Sequence, residues 1–181
     1  LHKSRMDPIM ATPNVMMNLA TTLFPICRSI TGNGLRESLN ILKNFIGELD
    51  VSSVPSGQKV FDWVIPKEWA INDAYILTPS GSKICDFQVN NLHVVNYSQS
   101  IDSIITLDEL NDHLFSNPLL PNSIPYKTTY FDDNWGFCIQ DDLRKTLPRG
   151  FYKVYIDSSH FDGFLNYGDL LIKGKTNKEI F

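Results

Sequence analysis

Val54-Pro55-Ser56-Gly57-Gln58-Lys59-Val60-Phe61-Asp62-Trp63-Val64 marks where the chain stops reading as helix and starts reading as sheet. Pro55 has no N–H to give, and Ser56-Gly57 is turn chemistry. Residues 59–64 then mix β-branched, aromatic and polar side chains, as one half-buried strand would. Upstream the periodicity is helical. Thr12-Pro13 offers an N-cap followed by a proline at the first helical position, and Met16, Leu19, Ala20, Leu23 and Phe24 recur at helical spacing. This predicts a helix near 13–28 that Pro25 bends or ends. After Gly32-Asn33-Gly34, the series Leu35, Leu39, Leu42, Ile46 and Leu49 predicts a second helix over 35–48.

Downstream of the deciding stretch, short β-like runs fall at 75–77, 83–87, 92–97, 128–131 and 135–139, with Thr78-Pro79-Ser80-Gly81, Asn90-Asn91 and Asp132-Asp133-Asn134 as turns between them. Thr106 is placed to cap a short helix whose Asp108 and Glu109 suit its positive end. Two more strands are expected at 152–156 and 170–172, joined through Asp162-Gly163 and Tyr167-Gly168. The fold class is therefore α+β: two N-terminal helices, then a β-rich module. The closing Glu179-Ile180-Phe181 reads as the opening of a further strand, so a fragment of a longer protein is expected.

With 181 residues, 43% hydrophobic and 20% charged, the chain is large enough for a real core. A formal net charge of −4 and scattered Lys and Arg argue against nucleic-acid binding, which needs a basic face. No stretch approaches the roughly 20 apolar residues of a membrane span, and the first ten residues lack the apolar core of a secretory signal, so a cytoplasmic address is expected. Cys27, Cys85 and Cys138 are odd in number and dispersed, which predicts free thiols.

Arg28-Ser29-Ile30-Thr31-Gly32-Asn33-Gly34 sets hydroxyls and two glycines before a helix, where free backbone N–H groups can hold an anion or where Thr31 or Asn33 can cap the helix. In Asn91-Leu92-His93-Val94-Val95-Asn96-Tyr97, alternation puts His93 and Val95 on one strand face, where His93 can orient a ligand or be hydrogen-bonded within the sheet. Arg28, Asn91 and His93 are the candidate binding residues. His160-Phe161-Asp162 has a spacing used by metal sites, but a metal needs at least three ligands, and Asp162-Gly163 reads better as a turn. Asp132-Asp133 and Asp141-Asp142 read as solvated turns, and no catalytic set can be assembled from the residues alone.

Longer strings carry more. Leu23-Phe-Pro-Ile-Cys-Arg-Ser-Ile-Thr-Gly32, Val54-Pro-Ser-Gly57, Val60-Phe-Asp-Trp63, Pro66-Lys-Glu-Trp69, Asn91-Leu-His-Val-Val-Asn-Tyr-Ser98, Ile124-Pro-Tyr126, Trp135-Gly-Phe-Cys138 and Tyr167-Gly-Asp-Leu170 resemble a bacterial family described as aminopeptidase-like. The resemblance implies a zinc-exopeptidase α/β fold whose early part is interrupted by an inserted β-rich domain of unknown function, with a winged-helix segment at the far end. It assigns 1–54 to the helical part of the exopeptidase-like domain, 55–150 to the insert, and 151–181 to the return into the exopeptidase-like layer. It also implies that the first zinc-binding histidine follows a strand opening like Glu179-Ile180-Phe181, so zinc is expected in the complete protein and none in this chain. The complete protein would hydrolyse an N-terminal peptide bond of a peptide or similar small substrate. The competing reading is a noncatalytic module whose aromatic residues recognise a peptide or glycan.

Overall fold

Pro13 opens α1 (Pro13–Leu23), and Pro25 explains its end: the residue before a proline is driven out of helical geometry, so the helix stops well short of 28. The computed structural model describes residues 13–130 and 132–174, so the cap expected of Thr12 and the strand opening expected at 179–181 lie outside the described residues. No side chain of α1 is buried. α2 (Asn33–Phe45) begins two residues earlier than its apolar series suggested and buries Ser38 and Leu39.

β1 (Asp50–Pro55) follows α2 and pairs antiparallel with β10 (Phe164–Asp169) in a separate two-stranded sheet. The Tyr167-Gly168 pair, expected to turn, sits inside β10 because α2 presses on it. A Cβ on Gly168 would lie 3.1 Å from Leu49 Cδ1 and 3.3 Å from Leu39 Cδ2, so glycine permits the close approach. Residues 170–172 form no strand. The expected single strand over 59–64 is a small hairpin, β2 (Lys59–Val60) against β3 (Trp63–Val64), with Phe61 turning the chain at φ 56°.

The main sheet has the order β5-β4-β9-β6 and is antiparallel throughout. Its strands are β4 (Glu68–Leu77), β5 (Lys83–Ile84), β6 (Ile101–Thr106) and β9 (Phe151–Phe161). Ala74 and Ile76 of β4 and Tyr152, Val154 and Ile156 of β9 alternate onto one face and form the core with Leu110, Leu114, Phe137 and Ile139. α3 (Leu107–Asn111) begins on Thr106 as expected. Its hydroxyl accepts from Glu109 N at 3.3 Å while Glu109 Oε2 accepts from Thr106 N at 2.7 Å, a capping box.

The run at 92–97 is not a strand. Asn90 Oδ1 accepts from Leu92 N at 3.0 Å and starts a 3₁₀ turn over Asn91–His93, after which Val94 and Asn96 make single bridges to Phe137 and Thr128. β7 (Leu114–Phe115) and β8 (Phe137–Cys138) pair in parallel, so the expected strand at 135–139 shrinks to two residues. Phe131, in the expected strand at 128–131, lies outside the described residues, and Thr128 contributes only an isolated bridge. Asp141-Asp142 opens the short helix α4 (Asp141–Lys145), where Lys145 Nζ pairs with Asp141 Oδ2 at 2.5 Å.

Candidate functional site

The segment between α1 and α2 is fastened to β4 by its smallest and most polar residues. Gly32 is the N-cap of α2 at φ 92°, and a Cβ there would stand 2.8 Å from the Trp69 carbonyl oxygen. A Cβ on Gly34 would overlap the Cys27 carbonyl oxygen outright. Neither Thr31 nor Asn33 caps α2. The buried Thr31 hydroxyl instead shares a 2.5 Å hydrogen bond with the Tyr97 hydroxyl and accepts from Trp69 N at 3.3 Å, while Asn33 Oδ1 accepts from Arg36 at 2.5 Å. The glycines therefore serve close packing.

This fastening leaves a cleft of ≈ 690 Å³ between Pro25–Arg36, the start of β4, Phe87 and Phe161. Its charged centre is an ion pair: Arg36 Nη2 donates to Glu68 Oε1 at 2.5 Å, and Phe164 N donates to Oε2 at 3.1 Å. The Arg36 hydrogen bond, with help from Phe164 N–H and against burial, holds the Glu68 carboxyl below its usual range. A carboxylate so occupied is a poor general base. Cys27 lines the same cleft, and burial pushes its thiol up to about 11, far from a thiolate nucleophile.

Of the three candidate binding residues, Arg28 and Asn91 come together. Both line a groove of ≈ 360 Å³ with Phe24, Asn96 and Tyr126. Asn91 Nδ2 donates to the Pro25 carbonyl at 3.0 Å, and Asn96 Nδ2 donates to the Arg28 carbonyl at 3.1 Å, so two side chains of the 3₁₀ region hold the inter-helix segment in place. Ser29 lines both hollows, and its hydroxyl oxygen is buried without a hydrogen-bond partner among the described residues. His93 stands apart: its Nδ1 lies 2.8 Å from the Cys138 carbonyl, behind the groove. Tyr126 belongs to the aromatic set that the sequence offers for a peptide- or glycan-binding groove, whereas Asn96 carries no signal of its own there. The contacts that recruit them span 68 and 30 residues and have no local signature.

His160 and Phe161 close β9, while Asp162 leaves the strand at the turn toward β10, so the pair does not share a strand face. Among the described residues, no three His, Cys, Asp or Glu side chains are grouped so as to hold a metal ion. The zinc implied by the resemblance does not fit the donors present here. Of the cleft and the groove, the cleft is the larger and holds firmly paired charge.

A family model described as a domain of unknown function (DUF2172) matches residues 68–159. A Clostridium acetobutylicum protein provisionally named a polysaccharide biosynthesis protein with aminopeptidase-like domain is 46% identical over 169 residues, covering 93% of this chain and 39% of its own. A crystal structure of a provisionally assigned peptidase from the same organism superposes with a TM-score of 0.80 at 47% identity, covering 86% of this chain and 36% of the other. The chain thus spans under two fifths of the length of the proteins it matches.

Proposed function

The chain belongs to the family of the domain of unknown function DUF2172, and from that premise we propose that it is the N-terminal part of an aminopeptidase-like protein whose hydrolytic centre lies elsewhere in the polypeptide. The observation that carries the reading is the state of α1. It has no buried residue, with Met16 and Met17 about two-thirds exposed, yet an eleven-residue helix is marginal in water by itself. Among the described residues the adjoining β1–β10 sheet has two strands, too few for independent stability. A layer of this kind is completed by further polypeptide, and the relative has ample further length.

On this reading, residues 1–54 and 151–181 form the edge of a zinc-exopeptidase-like domain, and 55–150 an inserted module. β9 joins the two, since it pairs with β4 and then turns at Gly163 into β10, which pairs with β1. Arg28 and Asn91 contact a peptide or small-molecule substrate in their groove, while His93 steadies the 3₁₀ turn from behind. Zinc is held by residues outside those described, and the whole protein works in the cytoplasm on N-terminal peptide bonds. Among the described residues no helix is long and apolar enough to cross a membrane.

The test compares hydrolysis of aminoacyl anilides by the 181-residue chain and by the whole protein, with and without chelator. Turnover confined to the whole protein and abolished by chelator is the expected result. Chelator-sensitive turnover by the short chain, or inactivity of both, would refute the reading.

A further inference from the structure

A third hollow, of ≈ 490 Å³, is lined in part by Tyr97 and takes no part in the proposed hydrolysis. Four stretches far apart in sequence build it: Pro66-Lys67 ahead of β4, Tyr97 and Gln99 after the 3₁₀ turn, Thr129 and Tyr130 with Asp132 and Asp133, and His160 on β9. Tyr97 adopts φ 68°, a left-handed backbone that a bulky side chain rarely takes. It is held there by its hydroxyl on Thr31 at 2.5 Å and by stacking on Trp69 at 5.8 Å. This posture brings Tyr130 edge-on at 5.9 Å and His160 at 5.8 Å, so three rings converge behind a polar rim.

The rim mixes signs. Asp132 and Asp133 offer carboxylates, Gln99 Nε2 donates to Asp133 Oδ1 at 3.0 Å, and Lys67 brings an ammonium group to the same opening. Burial holds the His160 pKa below its usual value, with the Lys67 charge acting in the same direction and the Tyr97 backbone and Asp133 opposing. A neutral imidazole has one donor and one acceptor nitrogen. Each candidate ligand class meets this lining differently. A phosphate or other anion faces two carboxylates, and the ammonium end of a peptide faces Lys67. A neutral sugar presents hydroxyls that both donate and accept, and apolar C–H faces that lie against rings.

We propose that this hollow is a binding site for a neutral saccharide unit, seated against Tyr130 and His160 and hydrogen-bonded by Asp132, Asp133 and Lys67. The proposal is independent of where hydrolysis occurs and stands even if the peptidase reading fails.

The test is a ¹H–¹⁵N titration of the 181-residue chain with glucose, galactose and N-acetylglucosamine, with inorganic phosphate and alanine amide as competitors of the other two classes. At least one sugar is expected to shift the amides of Lys67, Gln99 and Asp133 with saturation in the millimolar range. Asp133→Asn and Lys67→Gln, both at exposed positions, should each weaken that binding about tenfold, the size of one hydrogen bond to a charged group, without moving the thermal midpoint. Absence of shifts with all three sugars, shifts insensitive to both substitutions, or a larger response of the same amides to phosphate or alanine amide would overturn the proposal.

Discussion

Replacing Arg36 by methionine probes the ion pair that ties α2 to β4 and β10. Glu68 is 4% exposed, and its carboxylate has two donors, Arg36 at 2.5 Å and Phe164 N at 3.1 Å. Removing one partner of a fully buried pair costs about 3–5 kcal/mol, because the remaining charge is left without compensation. The Arg36 side chain is 36% exposed, so water reaches that side of the carboxylate, and the expected loss falls to about 2 kcal/mol. Glu68→Gln keeps an acceptor for Phe164 N–H and should cost about 1 kcal/mol. The double variant should fall short of the sum by about 1 kcal/mol, since both changes remove one interaction. Urea unfolding at neutral pH measures all three. The pH dependence has a definite sign. The folded Glu68 carboxyl lies below its unfolded value of 4.5, so its contribution is complete above that value and disappears as pH falls through the folded pKa. The gap between wild type and Arg36→Met should therefore close in acid. An Arg36→Met variant within about 0.5 kcal/mol of wild type at neutral pH, or additive single effects, would refute the reasoning.

Gly34→Ala should cost about 3 kcal/mol in calorimetry, because the new methyl group meets the Cys27 backbone and not a yielding side chain; an unchanged midpoint would contradict the close packing. Phe61→Gly should be neutral or stabilising by up to about 1 kcal/mol, since Phe61 is 94% exposed and sits at φ 56°, and a marked loss in the same assay would show that its ring has a structural role. All three thiols should titrate after denaturation and react slowly before it, because burial raises Cys27 and Cys138 to about 11 and Cys85 to about 12. Rapid reaction of Cys85 in the folded chain would contradict that placement.

What the sequence revealed and what it hid follow one physical division. The cap at Thr106 is local chemistry, complete within four residues, and it was legible, although the return bond from Glu109 to the Thr106 N–H emerges only in the structure. Both N-terminal helices were visible through their apolar spacing, with boundaries displaced where Pro25 and Gly32 act. The alternation through 92–97 misled because the Asn90 side chain competes for the backbone and because Tyr97 turns left-handed, held by partners far away in sequence. Ile101-Asp102-Ser103-Ile104-Ile105 has strand composition but was passed over, and its place emerges only from pairing with β9. Gly168 looked like a turn and is a contact. The joining of Arg28 with Asn91 depends on hydrogen bonds across 66 and 68 residues, which no periodicity announces.

Hydrogen exchange at the α1 amides is the most direct test of the claim that this layer is completed by further polypeptide. In the 181-residue chain alone, the amides of Asn18 to Leu23 should exchange close to the rate of an unstructured peptide, because no side chain of this short helix is buried and little packing adds to its intrinsic stability. In the whole protein the same amides should slow by about a hundredfold or more, as burial of Met16, Met17 and Leu23 against the remainder adds roughly 3 kcal/mol of protection. Strong protection in the short chain, or equally fast exchange in both, would contradict the account.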